Sequence, residues 1–372
     1  MPSPRVGIVG GSIGGLCAGI ALQAAHYHVE IHERSPRDMA SRGAGIVVQP
    51  ELLRVVALIP GAALPMTQCL YRRYVQAQDG SEAKHAAPQT FTSWEAIYAT
   101  LRSGFPRDRY AFGSALTSFH GQDKRVTGVF SDAAEKSFDL LLCADGFQSE
   151  TRQTVLPDVQ SAYAGYVAWR GVVDEADLPE PLRAWFDDAF SFCEARSGGH
   201  MLCYFIPGEG NATNRGARRL NWVWYVNVRE GEALDDILVD ETGRRHAYSL
   251  HPGAASPRNV QTLYERARVE LTSSFADLVG ITPDPFLQVI FDLFSPKLVF
   301  DRVCLMGDAA IVVRPHTAGG TAKAAGDALA LADALQREPD IDRALVSWER
   351  NRLAYGLSLM NYGIALGKRT AR

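Results

Sequence analysis

The sequence has few cysteines, and their spacing excludes two common kinds of protein. Only six occur among 372 residues, with no CxxC pair and no metal-like spacing to a histidine. They are Cys17, Cys69, Cys143, Cys193, Cys203 and Cys304. Most fall inside apolar runs, where free cysteines are usually buried as reduced thiols. The sequence therefore predicts neither a disulfide scaffold nor a metal site.

Long apolar runs and runs of basic residues are also missing. No unbroken apolar stretch reaches the roughly 20 residues that span a bilayer, and no basic segment precedes a cleavable apolar one near the N-terminus. We therefore expect a cytoplasmic protein that does not enter a membrane. The net charge of -4 is small and the basic residues are scattered, which argues against nucleic acid as a partner. A small molecule is the expected ligand.

The residues that are present form a nucleotide-binding pattern. The segment RVGIVGGSIGGLCAGIALQAAHYHVEIHERSP, residues 5–36, predicts a strand, a glycine-rich turn, a helix and a second strand. Gly10 permits the tight turn, Gly15 lets the helix pack on the strand, and the helix start offers N–H groups to a pyrophosphate. Glu33 follows near the usual offset of ~20 residues, where a carboxylate accepts ribose hydroxyls. Ser12 stands where a second glycine is usual, so its side chain lies near the expected path of the phosphates.

Two later segments decide which dinucleotide binds. Glu33 argues against a 2′-phosphate, which leaves NAD or FAD. FDLLLCADGFQSETR is an apolar strand that leads to Asp145 and Gly146, and RVCLMGDAAIVV contains another that leads to Gly307 and Asp308. Together with the glycine loop, these places resemble the three fingerprints of the single-component FAD-dependent aromatic hydroxylases, the group A flavoprotein monooxygenases.

Five further segments resemble members of this family that act on dihydroxypyridines, in the same order along the chain. They are GIVVQPELL, FTSWEAIY, YAGYVAWRGV, RPHTAGGTAKA and SWERNRL, so the resemblance covers almost the whole chain. Two residues depart from the wider family pattern. Trp94 replaces an arginine that touches the flavin side, and Ile311 replaces the histidine that usually follows GDAA. The second change predicts a more apolar wall of the site.

The resemblance implies non-covalent FAD and gives roles to these segments. Asp308 would accept hydrogen bonds from the ribityl hydroxyls, and the helix opened by Gly319 and Gly320 would direct its positive end at the pyrimidine edge of the flavin. Pro315 would stiffen the loop that passes the flavin. The predicted cofactor residues are Gly10, Ser12, Ile13, Gly14, Gly15, Glu33, Arg34, Gln49, Asp145, Gly146, Gly307, Asp308, Pro315, Ala318, Gly319, Gly320 and Thr321.

The positions of these motifs predict a discontinuous domain. We predict an α/β fold of the p-hydroxybenzoate hydroxylase type, in which a Rossmann-like FAD domain carries an inserted antiparallel β-sheet domain and a C-terminal helix. The FAD domain takes residues 1–70, 94–160 and 287–338, the substrate-binding sheet residues 71–93 and 161–286, and the helical segment residues 339–372. In the insert, Trp222 and Trp224 alternate with Val223 and Tyr225, so one face packs and the other is free for a ligand.

The family's reaction needs reduced flavin, dioxygen and an electron-rich ring. NADH or NADPH reduces FAD, and the flavin hydroperoxide passes an oxygen atom to a small hydroxylated aromatic or N-heteroaromatic ring, such as a dihydroxypyridine. The sequence does not distinguish NADH from NADPH, and its single dinucleotide fingerprint implies that the nicotinamide binds transiently. Tyr and Trp side chains of the insert are expected to receive the flat ring.

Four residues are candidates for handling the substrate. His316 follows the stiff Pro315, and an unperturbed imidazole pKa would suit it to take a proton from a ring hydroxyl, although a structural role in its loop is equally open. His200 and Tyr204 point to the same side of one strand, with packing as the alternative for both. Arg170 is a candidate for binding a substrate oxygen, with a salt bridge as its alternative.

Two other classes of protein share parts of this pattern. A flavin-dependent halogenase has the same FAD domain, and WVWYVN contains a Trp-x-Trp pair, but the Ile-Pro that should follow is missing. A FAD-binding protein without catalysis is the other alternative, which NAD(P)H consumption under aeration would separate from a hydroxylase. The sequence leaves a homodimer open.

Overall fold

The computed structural model describes residues 3–39 and 44–370. Its strands are β1 (Arg5–Val9), β2 (His28–Glu33), β3 (Gly45–Val47), β4 (Thr67–Gln76), β5 (Glu82–Ser93), β6 (Tyr110–Phe112), β7 (Leu116–Gln122), β8 (Arg125–Phe130), β9 (Glu135–Phe138), β10 (Leu140–Cys143), β11 (Ala162–Asp174), β12 (Ala189–Glu194), β13 (His200–Ile206), β14 (Arg219–Asn227), β15 (Ser249–Leu250), β16 (Phe286–Phe294), β17 (Val299–Phe300), β18 (Val303–Leu305) and β19 (Ile311–Val312). Its helices are α1 (Ile13–Ala24), α2 (Pro50–Val56), α3 (Trp94–Ser103), α4 (Glu150–Val155), α5 (Glu180–Phe186), α6 (Glu232–Ile237), α7 (Pro257–Glu270), α8 (Ser273–Gly280), α9 (Gly320–Arg337) and α10 (Ile341–Thr370).

The smaller sheet joins strands from distant parts of the chain, in the order β17, β18, β10, β1, β2, β6. β1 pairs in parallel with β10 and with β2, and β10 pairs in parallel with β18, so Val9, Cys143 and Leu305 lie side by side. Because parallel strands end at one edge of a sheet, the residues that follow β1, β10 and β18 meet there. The predicted Rossmann-like unit β1-α1-β2 is confirmed.

The turn between β1 and α1 depends on two glycines. Gly10 has a φ of +94°, which side chains rarely tolerate. A Cβ at Gly15 would lie 1.8 Å from the carbonyl oxygen of Gly10. Any side chain at Gly15 would therefore push α1 away from the turn.

The larger sheet has the order β15, β16, β11, β14, β13, β12, β4, β5, β3, and β19 adds to β16. Along β14, Trp222 and Trp224 pack into a core with residues of α7 and α8. Val223 and Tyr225 instead join Tyr166 of β11 on the opposite face. The predicted alternation is confirmed, and helices cover one face of this sheet.

The larger sheet extends beyond its predicted boundaries. β3, the start of β4 at Thr67 and the whole of β16 are hydrogen-bonded into it, although residues 1–70 and 287–338 were predicted for the FAD domain. Short apolar segments do not show which sheet a strand joins, because the pattern records only which side chains are buried. The predicted C-terminal helical segment is present as α10, which packs along α9.

All six cysteines are buried as free thiols, as predicted. Within residues 3–39 and 44–370, no helix combines the length and the apolar character that crossing a bilayer requires. The same ranges contain no group of three or more His, Cys, Asp or Glu side chains that could hold a metal ion.

Candidate active site

The turn after β1 presents backbone N–H groups beside a buried carboxylate. Glu33, at the end of β2, accepts hydrogen bonds from Gly11 N at 2.7 Å and from Ser35 N at 2.8 Å, one at each oxygen. Each oxygen keeps a second lone pair, so the carboxylate can still accept ribose hydroxyls. Ser12 is the N-cap of α1, but its hydroxyl does not cap that helix. The first N–H groups of α1 are therefore available to an anion.

Tyr110 holds the same turn from the other side and was not predicted. Its hydroxyl donates to Gly11 O at 2.8 Å, and the guanidinium of Arg102 lies 4.3 Å from its ring centroid. Burial raises the pKa of the Tyr110 hydroxyl, which keeps it protonated as a donor. Glu33 and Tyr110 thus fix both backbone groups of Gly11. No local pattern reveals a contact between residues 99 positions apart.

Arg152 ties together the loops that follow β10 and β18. Its guanidinium donates to the carbonyl oxygen of Phe147 at 2.8 Å and to that of Ala309 at 3.1 Å. Asp145 accepts from the Ser149 hydroxyl at 2.7 Å, and burial raises the pKa of the Asp145 carboxyl. The two predicted cofactor loops are held side by side.

Asp308 lies just after β18, in the turn Gly307–Ala309. The residue is exposed, and desolvation by the surrounding protein raises the pKa of its carboxyl against the opposing charge of Lys323. Buried Lys323 donates to Gly307 O at 3.1 Å and to Asp327 at 2.8 Å. Asp327 also accepts from Gly307 N at 3.1 Å and from Arg352 Nε at 2.6 Å. These charges fix the Gly307 turn, and the alanine-rich pattern around them gave no sign of them.

The loop before α9 brings a second helix start to the turn Gly307–Ala309. Gly319 is the N-cap and α9 begins at Gly320, as predicted. Ala318 has a left-handed φ of +51°, a strained conformation for a residue other than glycine, and Thr317 Oγ1 accepts from Gly319 N at 3.0 Å. The first N–H groups of α9, including that of Thr321, have no acceptor within the helix. They are available to an electron-rich ligand edge.

Rings from three strands and from the Pro315 loop meet on the free face of the larger sheet. The ring centroid of His316 lies 4.2 Å from that of Tyr225 and 5.5 Å from that of His200. The hydroxyl of Tyr166, a fully buried residue, is 2.8 Å from His316 Nε2. The structure therefore brings together two of the predicted substrate residues, His316 and His200.

Tyr204 shares a strand and a face with His200 but belongs to another cluster. Its ring stacks on Phe91 with centroids 4.0 Å apart and meets Phe190 edge-on. These contacts favour packing, the alternative role predicted for Tyr204. The two tryptophans of β14 lie on the helix-covered face, so a substrate ring on the free face would not meet them. Tyrosines and histidines form the free face instead.

Neither histidine has the pKa that a base near neutral pH needs. Burial, with smaller contributions from His200 and Arg314, lowers the pKa of His316 to about 3. Burial lowers the pKa of His200 to about 4. Both rings are neutral at pH 7. The expectation of an unperturbed imidazole at His316 is wrong, because the sequence does not show that the ring is enclosed.

Two donors on this face have atoms without a partner. In the part of the chain that the structure describes, Arg170 forms no ion pair and its buried Nε meets no acceptor. Asn221 Oδ1 accepts from Gly45 N at 2.9 Å, while its buried Nδ2 meets no acceptor among the described residues. An unpaired buried donor costs about 1–3 kcal/mol, and native proteins keep few of them. Both donors are therefore open to acceptor atoms of a ligand.

The chain is similar to proteins of known activity over most of its length. The chain is 35% identical over 362 residues to 2,6-dihydroxypyridine 3-monooxygenase of Paenarthrobacter nicotinovorans, a match that covers 96% of this chain and 89% of that protein. The chain belongs to the FAD-dependent aromatic hydroxylases. The structure of 2,6-dihydroxypyridine-3-hydroxylase from Arthrobacter nicotinovorans has a TM-score of 0.92 at 34% identity, covering 99% of this chain and 93% of that one. A Klebsiella pneumoniae protein complexed with FAD and uric acid shares the fold, with a TM-score of 0.77 at 22% identity over 97% of this chain and 87% of that one.

A family described as FAD binding domain-like matches residues 163–292 of the hydroxylase. This match covers strands of the larger sheet and not the glycine turn after β1. The family predicted from three fingerprints is confirmed. The halogenase alternative loses its support, because its Trp-x-Trp pair lies under α7 and α8.

The residues of the hydroxylase fit FAD along one edge of the smaller sheet. Glu33 would hold the ribose and Asp308 the ribityl chain, because a carboxylate accepts hydrogen bonds from hydroxyls. The N–H groups at the start of α1 would hold the pyrophosphate, and those at the start of α9 the flavin edge. Arg34 is exposed beside Glu33, and Gln49 precedes α2 without capping it.

The two departures from the family pattern take defined places in the structure. Trp94 begins α3 and stacks on Tyr98, with ring centroids 5.2 Å apart. Ile311 is fully buried against Gly356 of α10, where a Cβ would lie 2.4 Å from Ile311 Cδ1. Ile311 packs on the C-terminal helix, and the more apolar wall of the site at this residue stays a prediction.

Proposed function

We propose that this enzyme hydroxylates a small N-heteroaromatic ring that already carries hydroxyl groups, with a dihydroxypyridine as the first candidate. NADH or NADPH supplies two electrons, one atom of O2 enters the ring, and the other leaves as water. The observation that carries the proposal is the pair of unpartnered donors, Arg170 and Asn221, on the sheet face that also carries the neutral rings of Tyr225 and His316. The activity named for the dihydroxypyridine relative supports the same substrate class.

Bound FAD supplies the oxygen chemistry, and the chain supplies placement and charge. Arg170 donates to one ring oxygen, and its positive charge favours the deprotonated form of that hydroxyl. Asn221 Nδ2 donates to a second oxygen. Tyr225 and His316 provide flat surfaces that enclose the ring and exclude water, which strengthens the charge of Arg170 at the ring. Deprotonation raises the electron density of the ring and so favours its hydroxylation.

The nicotinamide is proposed to visit the enzyme and leave after reducing the flavin. The smaller sheet carries one glycine turn with an acidic partner, Glu33, and FAD takes this place. A transient hydride donor needs no second Rossmann unit. NADH and NADPH should therefore be compared directly.

Oxidation of NADH or NADPH is expected to accelerate when 2,6-dihydroxypyridine is added to the FAD-loaded enzyme. Nucleotide absorbance gives the rate, mass spectrometry after reaction under labelled O2 identifies the product, and hydrogen peroxide is measured in parallel. The expected product carries one labelled oxygen, and little peroxide forms. Unsubstituted pyridine is the control and should stimulate neither reaction.

A negative result would distinguish an error in the proposed substrate from an error in the proposed reaction. If 2,6-dihydroxypyridine gives neither stimulation nor an oxygenated product, the substrate is wrong. If no ring in a panel of hydroxylated pyridines and phenols does so, the proposed reaction is wrong as well.

Ser12→Gly is expected to change FAD affinity by no more than about tenfold, an energy close to one hydrogen bond. The Ser12 hydroxyl does not cap α1, so its removal leaves the helix start intact. Ser12→Val should bind FAD far more weakly, because a branched side chain crowds the approach of the phosphates. Titration of the apoprotein with FAD, followed by flavin fluorescence, measures both affinities. Equal affinities in the two variants would show that the phosphates bind elsewhere.

A further inference from the structure

A path of side chains runs from an ion pair to His316. Arg314 makes two hydrogen bonds to Asp292, at 2.8 Å through Nε and at 2.5 Å through Nη2. Arg314 also lies against Tyr166, with its guanidinium carbon 5.5 Å from the centroid of that ring. The same hydroxyl is 2.8 Å from His316 Nε2. The side chains of Asp292, Arg314, Tyr166 and His316 therefore contact one another in this order.

The direction of each hydrogen bond on this path is fixed by chemistry. Among the described residues the Tyr166 hydroxyl has one hydrogen-bond partner, His316 Nε2, and the guanidinium of Arg314 beside it cannot accept a hydrogen. Tyr166 is fully buried, and an unpaired hydroxyl hydrogen there would cost about 1–3 kcal/mol. Tyr166 therefore donates to His316 Nε2. Since burial keeps the His316 ring neutral, its single proton must lie on Nδ1.

The C-terminal helix α10 closes over this path. A Cβ at Gly367 would lie 2.5 Å from Arg314 Nη1 and 2.9 Å from Tyr166 Oη. A Cβ at Gly363, one helical turn earlier, would lie 3.3 Å from Arg314 Cβ. The two glycines allow the backbone of α10 to press Arg314 and Tyr166 together, so the hydroxyl cannot turn to another partner.

We propose that Tyr166 is a positioning residue that holds His316 in the Nδ1–H tautomer, so that His316 meets the substrate as a hydrogen-bond donor. The inference rests on the proposed function only in placing the substrate beside His316. No described residue accepts a hydrogen bond from Nδ1, so its hydrogen is available to a ligand. A donor at this place stabilises the anion of a ring hydroxyl, whereas the base predicted from the sequence would remove its proton.

Long-range proton–nitrogen correlation spectra of the FAD-loaded, histidine-labelled protein test this tautomer directly. The signals of His316 are identified by their loss in His316→Gln. In the wild type we expect a protonated Nδ1 and a bare Nε2. Tyr166→Phe removes only the hydroxyl and should move the proton toward Nε2, the nitrogen that carries it in free neutral histidine. A protonated Nε2 in the wild type, or an unchanged tautomer in Tyr166→Phe, would overturn the proposal.

Two further variants separate a tautomer effect from general disturbance. Tyr225→Phe is the matched control, because the Tyr225 ring lies 4.2 Å from His316 but its hydroxyl is not the group that meets Nε2, so the tautomer should not change. Gly367→Ala keeps every polar group of the path and displaces Arg314 or Tyr166, so it should shift the tautomer as Tyr166→Phe does. An unshifted tautomer in Gly367→Ala with a displaced Arg314–Tyr166 contact would count against the proposal.

Steady-state kinetics add a second measurement, because a purely structural role of Tyr166 would not lower kcat while leaving FAD affinity unchanged. Tyr166→Phe should lower kcat about tenfold, the energy of one hydrogen bond, with FAD affinity unchanged. Loss of FAD without a change in tautomer would show that Tyr166 only supports the fold. Absence of turnover in the wild type would contradict the proposed function, while the tautomer measured without substrate would still decide this inference.

Discussion

Asp308→Ala is expected to release most of the FAD from the purified enzyme. Asp308 lies just after β18, where its exposed carboxylate can accept ribityl hydroxyls, and in the variant those hydroxyls would lose this partner. Each unpaired group costs about 1–3 kcal/mol, so FAD affinity should fall at least about 10- to 100-fold. The ratio of flavin absorbance to protein after dialysis, together with FAD titration of the apoprotein, measures the loss.

Asp333→Ala is the matched control for this experiment. Asp333 is an aspartate of α9, the helix whose start is proposed to face the flavin. Its side chain is half exposed and makes only a loose ion pair with Arg337 at 3.9 Å. Its removal should leave FAD affinity unchanged. If Asp308→Ala retains as much FAD as the wild type, the ribityl chain does not lie at the end of β18.

The sequence predicted those parts of the site that depend on neighbouring residues. Gly10, Gly15 and Glu33 belong to one βαβ unit, whose strand and helix lengths fix their spacing, so the carboxylate beside the turn could be assigned directly. The start of α9 at Gly320 likewise follows from adjacent glycines before an alanine-rich run. In both places one short segment contains the residues that bind the ligand and the glycines that shape the backbone.

The contacts that hold the site together join residues that are far apart in the sequence, so no short segment contains both partners. Tyr110 meets Gly11 across 99 positions and Tyr166 meets His316 across 150. The alternation in YAGYVAWRGV places Tyr166 on the same face as Arg170, which was the one available signal for it. The identity of its partner depends on how the Pro315 loop folds over the sheet.

The sequence also does not show how far protein encloses the side chains of the site, and this burial sets their pKa values. His316 was predicted with an ordinary pKa, and its actual neutrality follows from burial among other rings. Lys323 and Asp327 lie four positions apart in an apparently apolar helix, yet they form a buried ion pair under the Gly307 turn. A pattern of residue types predicts which side chains are present at a site but not how far water is removed from them.

The free face of the larger sheet therefore has one charge that no described residue neutralises. Both histidines are neutral, Arg314 is paired with Asp292, and Arg170 has no ion-pair partner among the described residues. An anionic ring would satisfy Arg170, while a neutral ring would leave it partly uncompensated. This difference makes Arg170 the group on which the substrate's charge should matter most.

Arg170→Met is expected to lower kcat/KM for a dihydroxypyridine by about 10- to 100-fold, since a hydrogen bond to a charged group contributes about 1.5–3 kcal/mol. Methionine keeps an apolar stem of similar reach, so FAD content should not change, and a phenol that binds in its neutral form should lose less. A larger share of the electrons from NADH should also reduce O2 to hydrogen peroxide, because a misplaced ring is hydroxylated less often.

Arg268→Met is the control for this experiment. Arg268 is exposed on α7, which covers the opposite face of the sheet, so its loss should change none of these quantities. An equal loss for anionic and neutral rings would show that Arg170 does not read the charge of the substrate, and a loss of FAD would assign it to the cofactor instead.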